Sequence, residues 1–170
     1  MSEAIIHISI AREVFESKEA ELIAIYGRRR VGKTFLIREA YKKHLVFQFT
    51  GTQNGTTEEH LIKFSQELSR SVNSTLPIKT PESWSEAFYL LRDYLTEKLK
   101  NNTKQVVFLD EIPWLNTPRS KFLQEFDYFW NSWASAQPSL IIVICGSAAS
   151  WMITQILNNR GGLHNRVTKR

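Results

Sequence analysis

Cysteine is almost missing: Cys145 is the single one among 170 residues. That excludes a disulfide framework and a zinc site built on cysteine. Cys145 lies in an apolar run, so its expected role is that of a small buried core residue. Long hydrophobic runs are missing too. None reaches the roughly 18 residues of a membrane-spanning helix, and no signal-peptide pattern precedes the first strand. A reducing cytoplasm, with no membrane partner, is the simplest expectation. His7, His44, His60 and His164 lack metal-ligand spacing. Internal repeats and low-complexity segments are also absent.

What is present reads as a soluble globular chain of one domain's length, 42% hydrophobic and 23% charged. The net charge is +5, and its placement is uneven. Residues 160–170 hold Arg160, Arg166, Lys169 and Arg170 and no acid, and without those cations the remainder carries +1. Such a tail is compatible with a solvated surface, a phosphate-sensing arginine or a nucleic-acid contact.

Apolar runs and their breaks order the elements. Segments 22–26, 45–49, 105–110 and 140–145 read as strands. Helical spacing marks 33–43, with Phe35, Leu36 and Ala40 as its inward stripe, and 57–72, with Thr57 as N-cap. It also marks 81–100, 119–136 and 148–157. In 119–136, Phe122, Phe126, Phe129, Trp130 and Trp133 form too wide a stripe for one interior face, which leaves room for a contact with another domain. The strands are continuous apolar runs alternating with helices, the mark of a parallel sheet covered on both faces.

The first chemical motif is Gly27-Arg28-Arg29-Arg30-Val31-Gly32-Lys33-Thr34, which fits G-x-x-x-x-G-K-[ST] between a strand and a helix. Glycines let the backbone curl so that N–H groups face an anion, and the helix N-terminus adds its dipole. Lys33 is placed to reach the β- and γ-phosphates of ATP, and the Thr34 hydroxyl to ligate Mg²⁺. The cradle is expected to run from Gly27 through Phe35, with Arg28, Arg29 and Arg30 either facing solvent, pairing with acids or leaning on phosphate.

The second motif is Val106-Val107-Phe108-Leu109-Asp110-Glu111, four apolar residues and two acids, the Walker B form. Asp110 is the expected Mg²⁺ holder, and Glu111 the group that polarises the attacking water. The third is Ile144-Cys145-Gly146-Ser147. Ser147 suits a γ-phosphate sensor, and it equally suits an N-cap for the helix starting at Ala148.

Taken together, YGRRRVGKT, FLDEIPWL, CGSAASWM and NNRGGLHNRVTKR resemble the archaeal-type ATPases on the STAND and AAA+ side of the P-loop superfamily. The resemblance spans about residues 21–170. It implies a three-layer α/β P-loop NTPase with a parallel sheet of strand order 5-1-4-3-2. Strand five should then be incomplete or missing, because it would run just after Thr168. On this resemblance residues 1–170 are the ATPase core, ending before a helical and winged-helix region. Gly32, Lys33 and Thr34 match the family's phosphate loop, Asp110 and Glu111 its acids, and Gly146 and Ser147 its glycine-serine pair. Residues 162–168 line up with the family's P-L-Y-G-R-R-T segment, with Arg166 as the first arginine and Val167 in place of the second. Arg160 is a further candidate for reaching the γ-phosphate. Residues 10–13 resemble a G-R-E box, with Ala11 in place of glycine.

The expected function is Mg²⁺-dependent ATP hydrolysis driving a conformational switch. The alternative is a nucleotide-binding module with little hydrolysis, acting in regulation or beside nucleic acid. ATP and ADP are the expected ligands, with a homo-oligomer or a nucleic acid as further partners. A small-molecule kinase is disfavoured because no arginine-rich lid appears. A GTPase is disfavoured because no N-K-x-D segment appears.

Overall fold

The computed structural model describes residues 13–28, 31–73, 76–157 and 167–168. Four strands, β1 (Glu21–Tyr26), β2 (Leu45–Thr50), β3 (Gln105–Asp110) and β4 (Leu140–Gly146), form one parallel sheet in the order β1-β4-β3-β2. This is the expected order for strands one to four. At the free edge of β1 the Thr168 N–H donates to Leu22 O at 2.8 Å, and Leu22 N–H donates to Thr168 Oγ1 at 3.2 Å. Residue 168 therefore runs beside β1, where the fifth strand was expected. Among the described residues it forms no strand.

The main helices are α1 (Lys33–Tyr41), α2 (Thr57–Val72), α3 (Trp84–Lys98), α4 (Ile112–Leu115), α5 (Phe122–Ser132) and α6 (Ala149–Trp151), the last continuing as a π-helical turn at Met152–Leu157. Strand alternation decides what each face carries. In β4, Leu140, Ile142 and Ile144 point to one face, while Ile141, Val143 and Cys145 point to the other. Helices α2, α3 and α5 cover the first face, and α1 covers the second.

The first face is dominated by aromatic rings. Trp84 lies edge-on to Phe64 and Phe122, with centroids at 5.8 and 4.8 Å, and Phe88 stacks on Phe129 at 5.2 Å. All five aromatics named in segment 119–136 are buried here. The stripe that looks too wide in sequence fits one interior because α3 and the sheet both flank α5. Tyr128, outside that stripe, is the exposed ring.

Four local expectations need correction. The inward residues of α1 are Ile37 and Tyr41, whereas Phe35, Leu36 and Ala40 are exposed. The cap of α2 is Thr56 and not Thr57. The Thr56 side chain accepts from Glu59 N–H, and Glu59 returns a bond to Thr56 N–H, a capping box. Segment 81–100 becomes helical only at Trp84, with Ser83 as its cap. Segment 119–136 holds a shorter helix, because Arg119 and Lys121 adopt left-handed backbone, with φ of 66° and 56°.

Register brings the strand ends together. Tyr26 pairs with Gly146, and Thr50 pairs with Asp110. The connections after all four strands consequently leave from one rim, where open parallel sheets bind ligands.

Candidate functional site

The phosphate-loop motif leaves this rim directly from β1. Gly32 has φ of 83° and forms the cap of α1, a left-handed position that a side chain would strain. Helix α1 then starts at Lys33 with its first N–H groups free of any side-chain cap. The Lys33 ammonium folds back along the loop, donating to Gly27 O at 2.8 Å and Arg28 O at 2.6 Å. Arg28 and Val31 are exposed, as is Phe35 on the outer side of α1. Arg29, Arg30, Arg160, Arg166 and residues 10–12 lie outside the described residues.

Asp110 follows from the alternation of β3. It shares the face of Phe108 and therefore points toward α1. The Thr34 hydroxyl meets it there, donating to Asp110 Oδ2 at 2.8 Å across 76 positions of sequence. The other oxygen, Oδ1, accepts the Glu111 N–H at 3.0 Å. Asp110 is buried and, among the described residues, enters no ion pair. Cys145 is its neighbour on β4, and burial, followed by the Asp110 charge, pushes its thiol pKa up. That thiol is a packing group rather than a nucleophile.

Glu111 departs from the strand in left-handed backbone, with φ of 51° and ψ of 46°. Such a conformation is uncommon for a non-glycine residue, and it tends to occur at functional sites. The turn is held by the Trp114 N–H, which donates to Glu111 O at 3.0 Å. It re-aims the carboxylate across the rim toward β4, where Oε2 accepts Ser147 N–H at 3.0 Å and the Ser147 hydroxyl at 2.8 Å. The N-cap alternative for Ser147 fails: the cap of α6 is Ala148, without a side-chain bond.

Sequence reading gave no site role to Gly51 or His60, and named Gly146 without the packing that requires it. A Cβ on Gly51 would stand 2.5 Å from Glu111 O, so only glycine fits beneath the Glu111 turn. A Cβ on Gly146 would stand 2.8 Å from Met152 Sδ and 3.0 Å from Pro113 Cδ. His60 is fully buried under the loop after β2, with Nε2 at 3.1 Å from Thr52 N, and burial lowers its pKa. Each signal is a close tertiary approach, which single-sequence periodicity does not carry. The glycine after an apolar strand was the one available hint.

The set of donors suits a small hard cation. A hydroxyl oxygen and a buried carboxylate oxygen stand side by side, and a buried carboxylate without a cation costs folding free energy. No group of three or more His, Cys, Asp or Glu side chains that could hold a metal ion exists among the described residues. An ion held here would rely on these two oxygens together with phosphate and water. Likewise, among the described residues no helix is long and apolar enough to cross a membrane.

Over residues 7–169 the chain matches the family described as an ATPase domain predominantly from Archaea. It is 23% identical over 156 residues to the uncharacterized protein MJECL04 of Methanocaldococcus jannaschii, covering 92% of this chain and 31% of that protein. Among solved structures it resembles the Walker-type ATPase PABY2304 of Pyrococcus abyssi, with a TM-score of 0.64 and 23% identity over 92% of this chain and 50% of the other. It also resembles a chain of the Drosophila ORC bound to DNA, with a TM-score of 0.60 and 15% identity over 96% of this chain and 40% of the other. The chain therefore spans half or less of each of these relatives. At such identities the structural likeness shows the fold alone.

Proposed function

The chain belongs to the family of ATPase domains found predominantly in Archaea, and on that premise we propose that its rim site binds ATP with Mg²⁺ and hydrolyses it to drive a conformational switch. One observation carries the reading: the hydroxyl of Thr34 and the carboxylate of Asp110, 76 positions apart, meet at 2.8 Å on the rim where the glycine loop begins. On this reading the pairing joins a Walker A threonine to a Walker B aspartate, as expected of a STAND or AAA+ ATPase.

Lys33 leaves its two loop carbonyls to neutralise the β- and γ-phosphates. Thr34 and Asp110 hold the metal ion, which supplies charge neutralisation on the phosphate oxygens when bound. Glu111 accepts the proton of the attacking water. The water oxygen bonds to the γ-phosphorus, and the bond from that phosphorus to the bridging oxygen breaks. The electron pair leaves with ADP. The peptide N–H groups of residues 31–35 at the α1 N-terminus line the phosphate side of the cradle, and Ser147 reads the terminal phosphate from β4. Arg160 and Arg166 are the arginines proposed to reach that phosphate from the same or a neighbouring subunit.

A second reading has its own support. The Glu111 carboxylate is engaged by Ser147, which favours a nucleotide-binding module that turns over slowly. Phosphate release by the parent chain and by Glu111→Gln separates the two. Hydrolysis predicts a loss of roughly 100-fold in the variant, in the range of general-base removal. Equal rates leave only the binding module. Residues 1–170 as an ATPase core, a cytoplasmic setting, a homo-oligomer and a nucleic-acid partner belong to the same proposal. The nucleic-acid partner draws on the likeness to the Drosophila ORC, a protein seen bound to DNA, and on the basic residues 160–170.

A further inference from the structure

We propose that the outer face of α3 and α5 is a two-fold interface, on which a second copy of this chain packs with Arg92 of each copy against Glu125 of the other. The proposal rests on the homo-oligomer reading above and gives it an interface. It does not depend on the proposed nucleotide site at the rim.

The two helices run in the same direction. Trp84 meets Phe122 at 4.8 Å, Phe88 meets Phe126 at 5.8 Å, and the Arg92 guanidinium sits 5.7 Å from the ring of Trp133, directly after α5. Position on one helix therefore advances with position on the other. Two matched rows border the groove between them. Ser85, Tyr89 and Arg92 follow at helical spacing on α3, and Glu125, Tyr128 and Ser132 on α5. An acid thus stands at the N-terminal end of this face, a cation at the C-terminal end, and two tyrosines between them.

The face has the marks of an unfilled protein contact. Tyr89 is 62% exposed and Tyr128 68%, whereas Trp84, Phe88, Phe126 and Phe129 of the same helices are buried. Between the rows lies a slot of about 100 Å³, bounded by Phe88, Phe129 and Trp133. Small-molecule sites run to roughly 300 Å³ or more, so this one suits an inserted side chain. Tyrosine and arginine are also the residue types enriched where proteins meet. Among the described residues the Arg92 and Glu125 side chains enter no ion pair and no hydrogen bond. Contact with the Trp133 ring holds the Arg92 guanidinium in place at the surface.

The order of charges selects the occupant. A two-fold contact is made by one patch with itself, so each group must meet its complement after the rotation. Turning a second copy about an axis between the tyrosines lays the acid end of one face on the cationic end of the other. Arg92 and Glu125 then pair twice, and the four tyrosines gather at the axis over the two slots. An approach in the same direction would set acid on acid and cation on cation.

Sedimentation velocity on the full chain, without nucleotide and across a broad concentration range, tests the interface. The parent should dimerise in the micromolar range, as expected of a small contact. Tyr128→Ala should raise the dimer dissociation constant at least about thirtyfold, the scale of a hot-spot residue. Arg92→Glu and Glu125→Arg should each raise it about tenfold, because each opposes like charges at two places. Mixing discriminates further: Arg92→Glu with Glu125→Arg should form a heterodimer with opposite charges at both places, and the double variant should regain the dimer of the parent. Arg92 and Tyr128 are exposed and Glu125 partly so, and thermal unfolding of each variant checks that the fold is kept. Where Arg92→Glu is unfolded, Glu125→Arg and Tyr128→Ala decide alone, and a dimer that withstands both overturns the interface. A parent that stays monomeric overturns the interface and the homo-oligomer together, and leaves the face to a partner of another kind. A dimer that withstands all three single substitutions, or charge variants that fail to pair on mixing, overturns the interface and leaves a homo-oligomer built elsewhere.

Discussion

The face of the sheet under α2, α3 and α5 and the rim where the strands end obey opposite rules. The face is apolar and interlocked: Trp84, Phe88, Phe122, Phe126 and Phe129 contact one another ring to ring, and each is buried. Its free energy comes from removing rings from water, and from edge-on and offset ring contacts that add to that burial. The rim is polar, and its groups satisfy one another: Lys33 with two loop carbonyls, Thr34 with Asp110, Glu111 with Ser147. On the proposed reading those bonds are exchangeable, because a phosphate or a metal ion would offer each group a stronger partner. One region resists change and the other is built from contacts that can be traded. Substitutions should accordingly separate stability from ligand binding.

The largest effect tests the face. Phe126→Ala removes a fully buried ring that packs between Phe88 and Phe122. It should lower unfolding free energy by about 3–5 kcal/mol in a denaturant titration, with ATP affinity within about twofold where the variant stays folded. A larger loss of affinity in the folded fraction would erase the division between the regions.

Lys33→Ala is the converse. It deletes the cation aimed along the loop, so ATP affinity should fall roughly 100-fold, about 2.7 kcal/mol, in a calorimetric titration. Thermal stability should scarcely move, because among the described residues the lysine bonds only to loop carbonyls. Retained affinity would mean that the loop is not the phosphate cradle.

Gly51 stands at the seam, so Gly51→Ala should disturb both regions. The added methyl would meet Glu111 O at 2.5 Å. The expected cost is about 1–3 kcal/mol of stability, together with slower phosphate release as Glu111 shifts. Normal turnover at lowered stability would show that the Glu111 turn is not critical.

The smallest effect is one of pH. Burial lowers the pKa of His60 below its ordinary 6.5, so the unfolded chain takes up the proton first. Its contribution is complete above pH 6.5 and is lost progressively as pH falls below that value toward the folded-state pKa. The parent should lose more thermal stability than His60→Gln between about pH 7 and about pH 5.5. Parallel curves for the two would show that His60 does not titrate on unfolding.

The sequence carried the strands well, because a strand buried on both faces must be apolar throughout, and β3 matched residue for residue. The glycine-lysine-threonine motif and the acid pair stand out because each has a fixed spacing, and the fold brings Thr34 and Asp110 of the two motifs together. Orientation within α1 was not. Phe35, Leu36, Ile37, Ala40 and Tyr41 are all apolar or aromatic, so periodicity offered two stripes, and packing against the sheet chose Ile37 and Tyr41. Thr56 and Thr57 are adjacent and chemically alike, and the cap was decided by Glu59 reaching back. The partner of Ser147 was hidden for another reason. It depends on a left-handed turn at Glu111 that no side-chain pattern announces, and on Gly51 making room for it.

Metal dependence tests the central claim most directly. ATP should be titrated into the parent chain and into Asp110→Ala, each with and without Mg²⁺. The account predicts that Mg²⁺ tightens ATP binding in the parent and that this gain is lost in Asp110→Ala. An undiminished Mg²⁺ gain in Asp110→Ala, or no binding by the parent, would contradict it.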